Sequence, residues 1–172
     1  MHVTHDTPDV VPTESAANVI YTRLLWAGIL LGLGFGGFFD GIVFHQILQW
    51  HHMLTSVGYP PDSVANLQLN TLADGTFHAA TYLFTVAGLV VLWRARPWPR
   101  TRGGGWYLLG AMLMGWGIFN LVEGIVDHQI LGIHHVRDDV SDKLPWDMAF
   151  LGIGTTLMAA GLIAALVAIT QG

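Results

Sequence analysis

Two segments of the chain, DGIVFHQILQWHH at 40–52 and EGIVDHQILGIHH at 123–135, each carry an acid and three histidines on one spacing. Imidazole nitrogen beside carboxylate oxygen is a ligand set for first-row transition ions. The chain has no cysteine, which excludes disulfides, thiolate metal sites and a cysteine nucleophile. A metal here must sit on nitrogen and oxygen. Iron or copper, which cycle oxidation states, would bring electron or oxygen chemistry; zinc would activate a bound water, with a spare carboxylate as base. No H-E-x-x-H helix and no nucleotide-binding glycine loop occurs, so the reading leans to redox chemistry.

The two segments are copies. An offset of 83 lays Asp40 on Glu123, His45 on His128, His51 on His134 and His52 on His135. Nine of the thirteen positions are identical and a tenth exchanges one carboxylate for the other, which excludes chance. Upstream, Gly32 and Gly34 fall on Gly115 and Gly117. Two further acids, Asp74 in LADGTFHAA and Asp147 in LPWDMAFLG, open the next apolar stretch of each copy. The chain therefore reads as a two-helix unit written twice, repeat one at 20–96 and repeat two at 103–172, behind a polar tail at 1–19. Both copies run in the same direction, so the expected pseudo-twofold axis lies along the membrane normal and brings equivalent residues face to face.

The elements that must position these groups are membrane helices. Of 172 residues, 52% are hydrophobic and 11% charged, and the mean hydropathy is +0.50. Four apolar stretches, 20–48, 75–93, 105–133 and 148–169, approach or exceed the roughly 20 residues a spanning helix needs. The expected fold is all-α, a bundle of four transmembrane helices. A net charge of -5 with no basic cluster excludes a nucleic-acid partner. Arg23, Arg94, Arg96, Arg100 and Arg102 lie on one side against Arg137 and Lys143 on the other. That bias puts both termini in the cytoplasm and the doubled segments toward the periplasmic side of a bacterial inner membrane. Trp50, Trp93, Trp98, Trp106 and Trp146 are expected as interfacial anchors. His2 and His5 fall in the tail and are read as surface residues.

The paired segments resemble a bacterial family of predicted four-span membrane proteins, domain of unknown function 2243, over nearly the whole chain. The resemblance implies the fold and the membrane location and carries no activity with it.

Depth and facing narrow the ligand set. From Arg23, a rise of 1.5 Å per residue puts Asp40 about 25 Å and His45 about 33 Å along, in the outer leaflet and near its boundary. Asp74 and His78 are four apart and share a helix face. Buried together without a cation, Asp40 and Glu123 would repel. The expected nitrogen ligands are His45, His128 and His78, with Asp40, Glu123 and Asp74 as oxygens. Asp127 is a weaker candidate because its counterpart is Phe44, as Leu151 is that of His78. His51, His52, His134 and His135 stand equally as ligands or boundary anchors, and Asp74 and Asp147 equally as ligands or helix caps. One difficulty remains. In a regular helix Asp40 and His45 point about 140° apart, so the helix end is distorted, two ions are stacked near the axis, or one of the two residues binds a partner behind the ligands rather than the ion.

The expectation is a membrane metalloprotein with one or two transition ions, iron or copper ahead of zinc, in a site open to the outer face. A respiratory or electron-transfer partner would fit, and no oligomeric state follows. One alternative is capture of copper or zinc for delivery to a respiratory enzyme. Another is haem ligation by His45 and His128, as in four-helix cytochromes, which would leave the acids unexplained.

Overall fold

The computed structural model describes residues 14–96 and 102–170, and the side chains of Glu14–Ala16 and Arg102 are not described. His2, His5, Trp98 and Arg100 lie outside the described residues. The helices are α1 (Glu14–Phe39), α2 (Val64–Arg94), α3 (Arg102–Glu123) and α4 (Leu144–Thr170). All four are long and apolar enough to cross a membrane. No strand occurs among the described residues.

Each helix begins before its apolar stretch, because hydropathy marks the lipid-facing part while backbone hydrogen bonds extend the helix beyond it. The largest difference is at α2, expected from residue 75 and starting at Val64. Ser63 stops it there as an N-cap, its side chain accepting from the Asn66 amide.

The helices pack in the order α2, α1, α3, α4. α1 contacts both α2 and α3, and α4 packs on α3. The apolar window of α1 is half buried, against 11% of that of α2. Large apolar side chains such as Trp26, Leu72, Leu83, Trp93 and Leu166 stay exposed, as a lipid-facing surface requires.

Close approach of α1 and α3 depends on two glycines. A Cβ on Gly32 would collide with the Met112 carbonyl, and one on Gly115 with the Ile29 carbonyl. The offset that carries Gly32 to Gly115 also carries Ile29 to Met112, so the contact is reciprocal. Small residues at such crossings let membrane helices gain dispersion contact without a hydrophobic drive between them.

The outer ends of α1 and α3 do not stop as α-helix. Each runs on as a π-helical segment, Asp40–Ile47 after α1 and Gly124–Ile130 after α3. Matching amides close them, Leu48 N to Val43 O at 2.8 Å and Leu131 N to Val126 O at 2.8 Å. The chain then turns sharply through a left-handed residue in both copies, Gln49 (φ 51°) and Gly132 (φ 59°).

Candidate metal centre

The π-helical turn resolves the facing problem. Hydrogen bonds from i to i+5 widen the turn, so a residue five positions on returns to the same face. His45 Nε2 thereby lies 3.0 Å from Asp40 Oδ2. The contact has no hydrogen-bond geometry, and both atoms are buried without a hydrogen-bond partner. Glu123 and His128 bear the same i, i+5 relation in the second segment. The sharp turns then fold His51 and His134 back over these residues. His51 and His134 stack on each other, ring centroids 4.6 Å apart and planes 9° from parallel. His45 lies 4.3 Å from His51 and His128 4.9 Å from His134. Four imidazoles therefore form a continuous row, 45–51–134–128.

Six of the expected residues come together here: Asp40, His45, His51, Glu123, His128 and His134, none more than 4% exposed. Among the described residues, three triads could hold a metal ion: Asp40–His45–Glu123, Glu123–His128–His134 and His45–His51–His134. Nine of the buried atoms have no hydrogen-bond partner: Asp40 Oδ2, His45 Nε2, His51 Nε2, both oxygens of Glu123 and both ring nitrogens of His128 and His134. Burying polar atoms unpaired is costly, about 1–3 kcal/mol for each neutral group. Burial pushes the His51 imidazole down to about 4 and the His134 imidazole well below its ordinary value, the latter helped by its histidine neighbours. Both rings are neutral at neutral pH, so each keeps a lone pair.

Asp74 and Asp147 lie one layer out, with their oxygens already engaged. Asp74 Oδ1 accepts from His45 Nδ1 (2.9 Å) and from the Met53 amide (2.9 Å), and Oδ2 from His52 Nδ1 (2.7 Å). Asp147 Oδ2 accepts from His135 Nδ1 (2.7 Å) and Gln129 Nε2 (3.0 Å), and Oδ1 from the Val136 amide (3.1 Å). His128 Nδ1 stands 3.5 Å from Asp147 Oδ1, too far for a full hydrogen bond. A carboxylate on Nδ1 fixes the tautomer that leaves Nε2 free, the arrangement found behind metal-ligating histidines. His51 Nδ1 does the same through the Val136 carbonyl (2.9 Å). The Met53 carbonyl lies beside His134 without closing a hydrogen bond on its Nδ1.

The remaining candidates are peripheral. His52 and His135 face the outer carboxylates rather than the row. His78 donates Nδ1–H to its own helix, at the Asp74 carbonyl (2.8 Å), and packs against Gly41. It joins none of the three triads. Asp127 is half-buried at the rim.

Two features were missed from sequence. Phe77 and Phe150 back the row, Phe77 parallel to His45 at 5.7 Å and Phe150 5.4 Å from His128. The shared Asp-x-x-Phe spacing, Asp74 to Phe77 and Asp147 to Phe150, was the available signal. The second feature is closure. Trp50 stacks on Phe44 (5.2 Å) and meets Trp146 edge-on (5.3 Å), with the Arg137 guanidinium over both indoles. The Asp138 amide donates to Trp50 O, the Ser56 amide to Ile133 O, and Lys143 to Asp138. The two outer connections are thus bonded to each other across the cluster. The expected open site is instead enclosed, with Trp50 and Trp146 in its cover.

No curated protein and no solved structure matches the chain. The model of the family described as "Predicted membrane protein (DUF2243)" matches residues 27–167, a stretch that contains every residue of the cluster, and the chain belongs to that family.

Proposed function

We propose that this chain is an integral membrane metalloprotein in which Asp40, His45, His51, Glu123, His128 and His134 bind transition metal for redox chemistry. The observation that carries the reading is that buried nitrogen and oxygen atoms of these six side chains, without hydrogen-bond partners, gather into three overlapping triads of mutually close ligand atoms. A cation supplies a partner to the ligand atoms of each triad, and offsets the repulsion between Asp40 and Glu123. A donor set of four imidazoles and two carboxylates suits iron or copper, with zinc the redox-inert alternative.

Enclosure favours electron transfer over the other readings. Electrons cross a packed layer of side chains that a bulky substrate does not. Delivery of copper or zinc needs exchangeable ligands at an open mouth, and the histidines nearest the exits, His52 and His135, are turned onto carboxylates. Haem ligation by His45 and His128 needs a slot for a porphyrin between them, where His51 and His134 stack.

The reciprocal contacts of Gly32 and Gly115 support a pseudo-twofold axis along the membrane normal. The arginine bias supports cytoplasmic termini, with the centre toward the periplasmic face of a bacterial inner membrane and within reach of a respiratory partner.

Elemental analysis of detergent-purified protein beside a visible spectrum tests the proposal. Stoichiometric iron or copper is expected. The double variant Asp40→Ala/Glu123→Ala should lose it while keeping its helix content by circular dichroism. Unchanged metal in a folded double variant would overturn the ligand assignment.

A further inference from the structure

The six side chains do not share one coordination sphere. Ligands of a single ion, each about 2.1–2.2 Å away, lie no more than about 4.4 Å apart even when opposite. Six ligands of one ion would therefore form a single mutually close group. Instead, the sets of ligand atoms lying within 4.8 Å of one another are three overlapping triads. One triad joins Asp40 and His45 to Glu123, and another joins His128 and His134 to the same Glu123. Glu123 is the only acid common to both. It is also the only carboxylate of the cluster with both oxygens buried and unpartnered.

We infer that the centre holds two transition-metal ions bridged by the Glu123 carboxylate. The first ion takes Asp40, His45 and one Glu123 oxygen; the second takes His128, His134 and the other oxygen. The third triad sets His51 Nε2 against His45 and His134, within reach of the ion pair. A carboxylate bridging two ions about 3.5–4 Å apart is the geometry of two-metal sites. The acid–histidine pair at i, i+5, made possible by each π-helical turn, supplies one half-site per copy. The bridge comes from the second copy alone, because Glu123 is one methylene longer than Asp40 and reaches both ions. The inference rests on the metal reading above, and its test separates the two.

Metal-free full-length protein in detergent is titrated with Co(II), following the visible bands and low-temperature electron paramagnetic resonance. Two equivalents per chain are expected, with a signal that rises through the first equivalent and falls through the second as the bridged ions couple. Asp40→Ala/His45→Ala and His128→Ala/His134→Ala should each retain one equivalent. One equivalent in the unaltered chain would overturn the two-ion centre and leave the metalloprotein reading standing, whereas none would overturn both. A signal growing in proportion through two equivalents would overturn the bridge, and this readout needs no variant to fold.

Discussion

The two copies of the doubled segment build the same scaffold and finish it differently. Each has an acid and a histidine five apart on a π-helical turn, a left-handed residue, and a second histidine folded back over the first. Each is faced by an aspartate of the following helix, Asp74 well inside α2 and Asp147 in the first turn of α4. The first copy is the tighter. Asp74 grips His45 at 2.9 Å, whereas Asp147 stands 3.5 Å from His128. Phe44 and Trp50 cover the first copy with stacked rings, and their counterparts in the second are Asp127 and Ile133. The difference teaches that the two segments share the backbone that carries the acid and the histidines while differing in the groups around it. One half of the centre is clamped and the other left adjustable.

Three pairs of substitutions test how far this equivalence extends. The largest effect belongs to the helix crossing. Gly32→Val and Gly115→Val each drive a branched side chain into a carbonyl of the facing helix. Overpacking of this kind costs about 1–3 kcal/mol or more. Each should sharply lower the yield of monodisperse protein on size-exclusion chromatography, and by similar amounts. A tolerated valine at either glycine would break the reciprocity.

Next are the outer carboxylates. Asp74→Asn and Asp147→Asn keep the shape and remove the charge behind the histidines. Loss of such a supporting group lowers metal affinity roughly 10- to 100-fold. The loss should be larger at Asp74, whose bond to histidine is the shorter. Equal losses in competition with a chelator would mean that the difference between 2.9 and 3.5 Å has no consequence.

The smallest effect is at the left-handed turn. Gln49 carries a side chain where the second copy has Gly132. Gln49→Gly should stabilise the protein by up to about 1 kcal/mol and Gly132→Gln destabilise it by a similar amount. Thermal unfolding in one detergent measures both. A lower melting temperature for Gln49→Gly would show that the glutamine side chain makes a contact worth more than the backbone strain.

Much of this was legible in the sequence, for identifiable reasons. Apolar length reveals spanning helices because lipid offers no hydrogen bonds to an interrupted backbone. The repeat was visible because the ligand-bearing residues were copied with their spacing. That Asp40 and His45 share one face was legible only as one of several possibilities, since angular reasoning assumes a regular helix and the widened turn changes the angle. Asp74 and Asp147 were anticipated as ligands or helix caps but their partners were not: their oxygens go to His45, His52, His135, Gln129 and the Met53 and Val136 amides. The aromatic cover was hidden because Trp50 and Trp146 read as ordinary boundary residues until the connections brought them together with Arg137.

The row of helices also bears on assembly. α2 leans on α1 and α4 on α3, and the two hairpins meet along the seam between α1 and α3 and through their bonded connections. Two half-length polypeptides, synthesised separately and inserted side by side, would carry every surface needed to find one another in the bilayer.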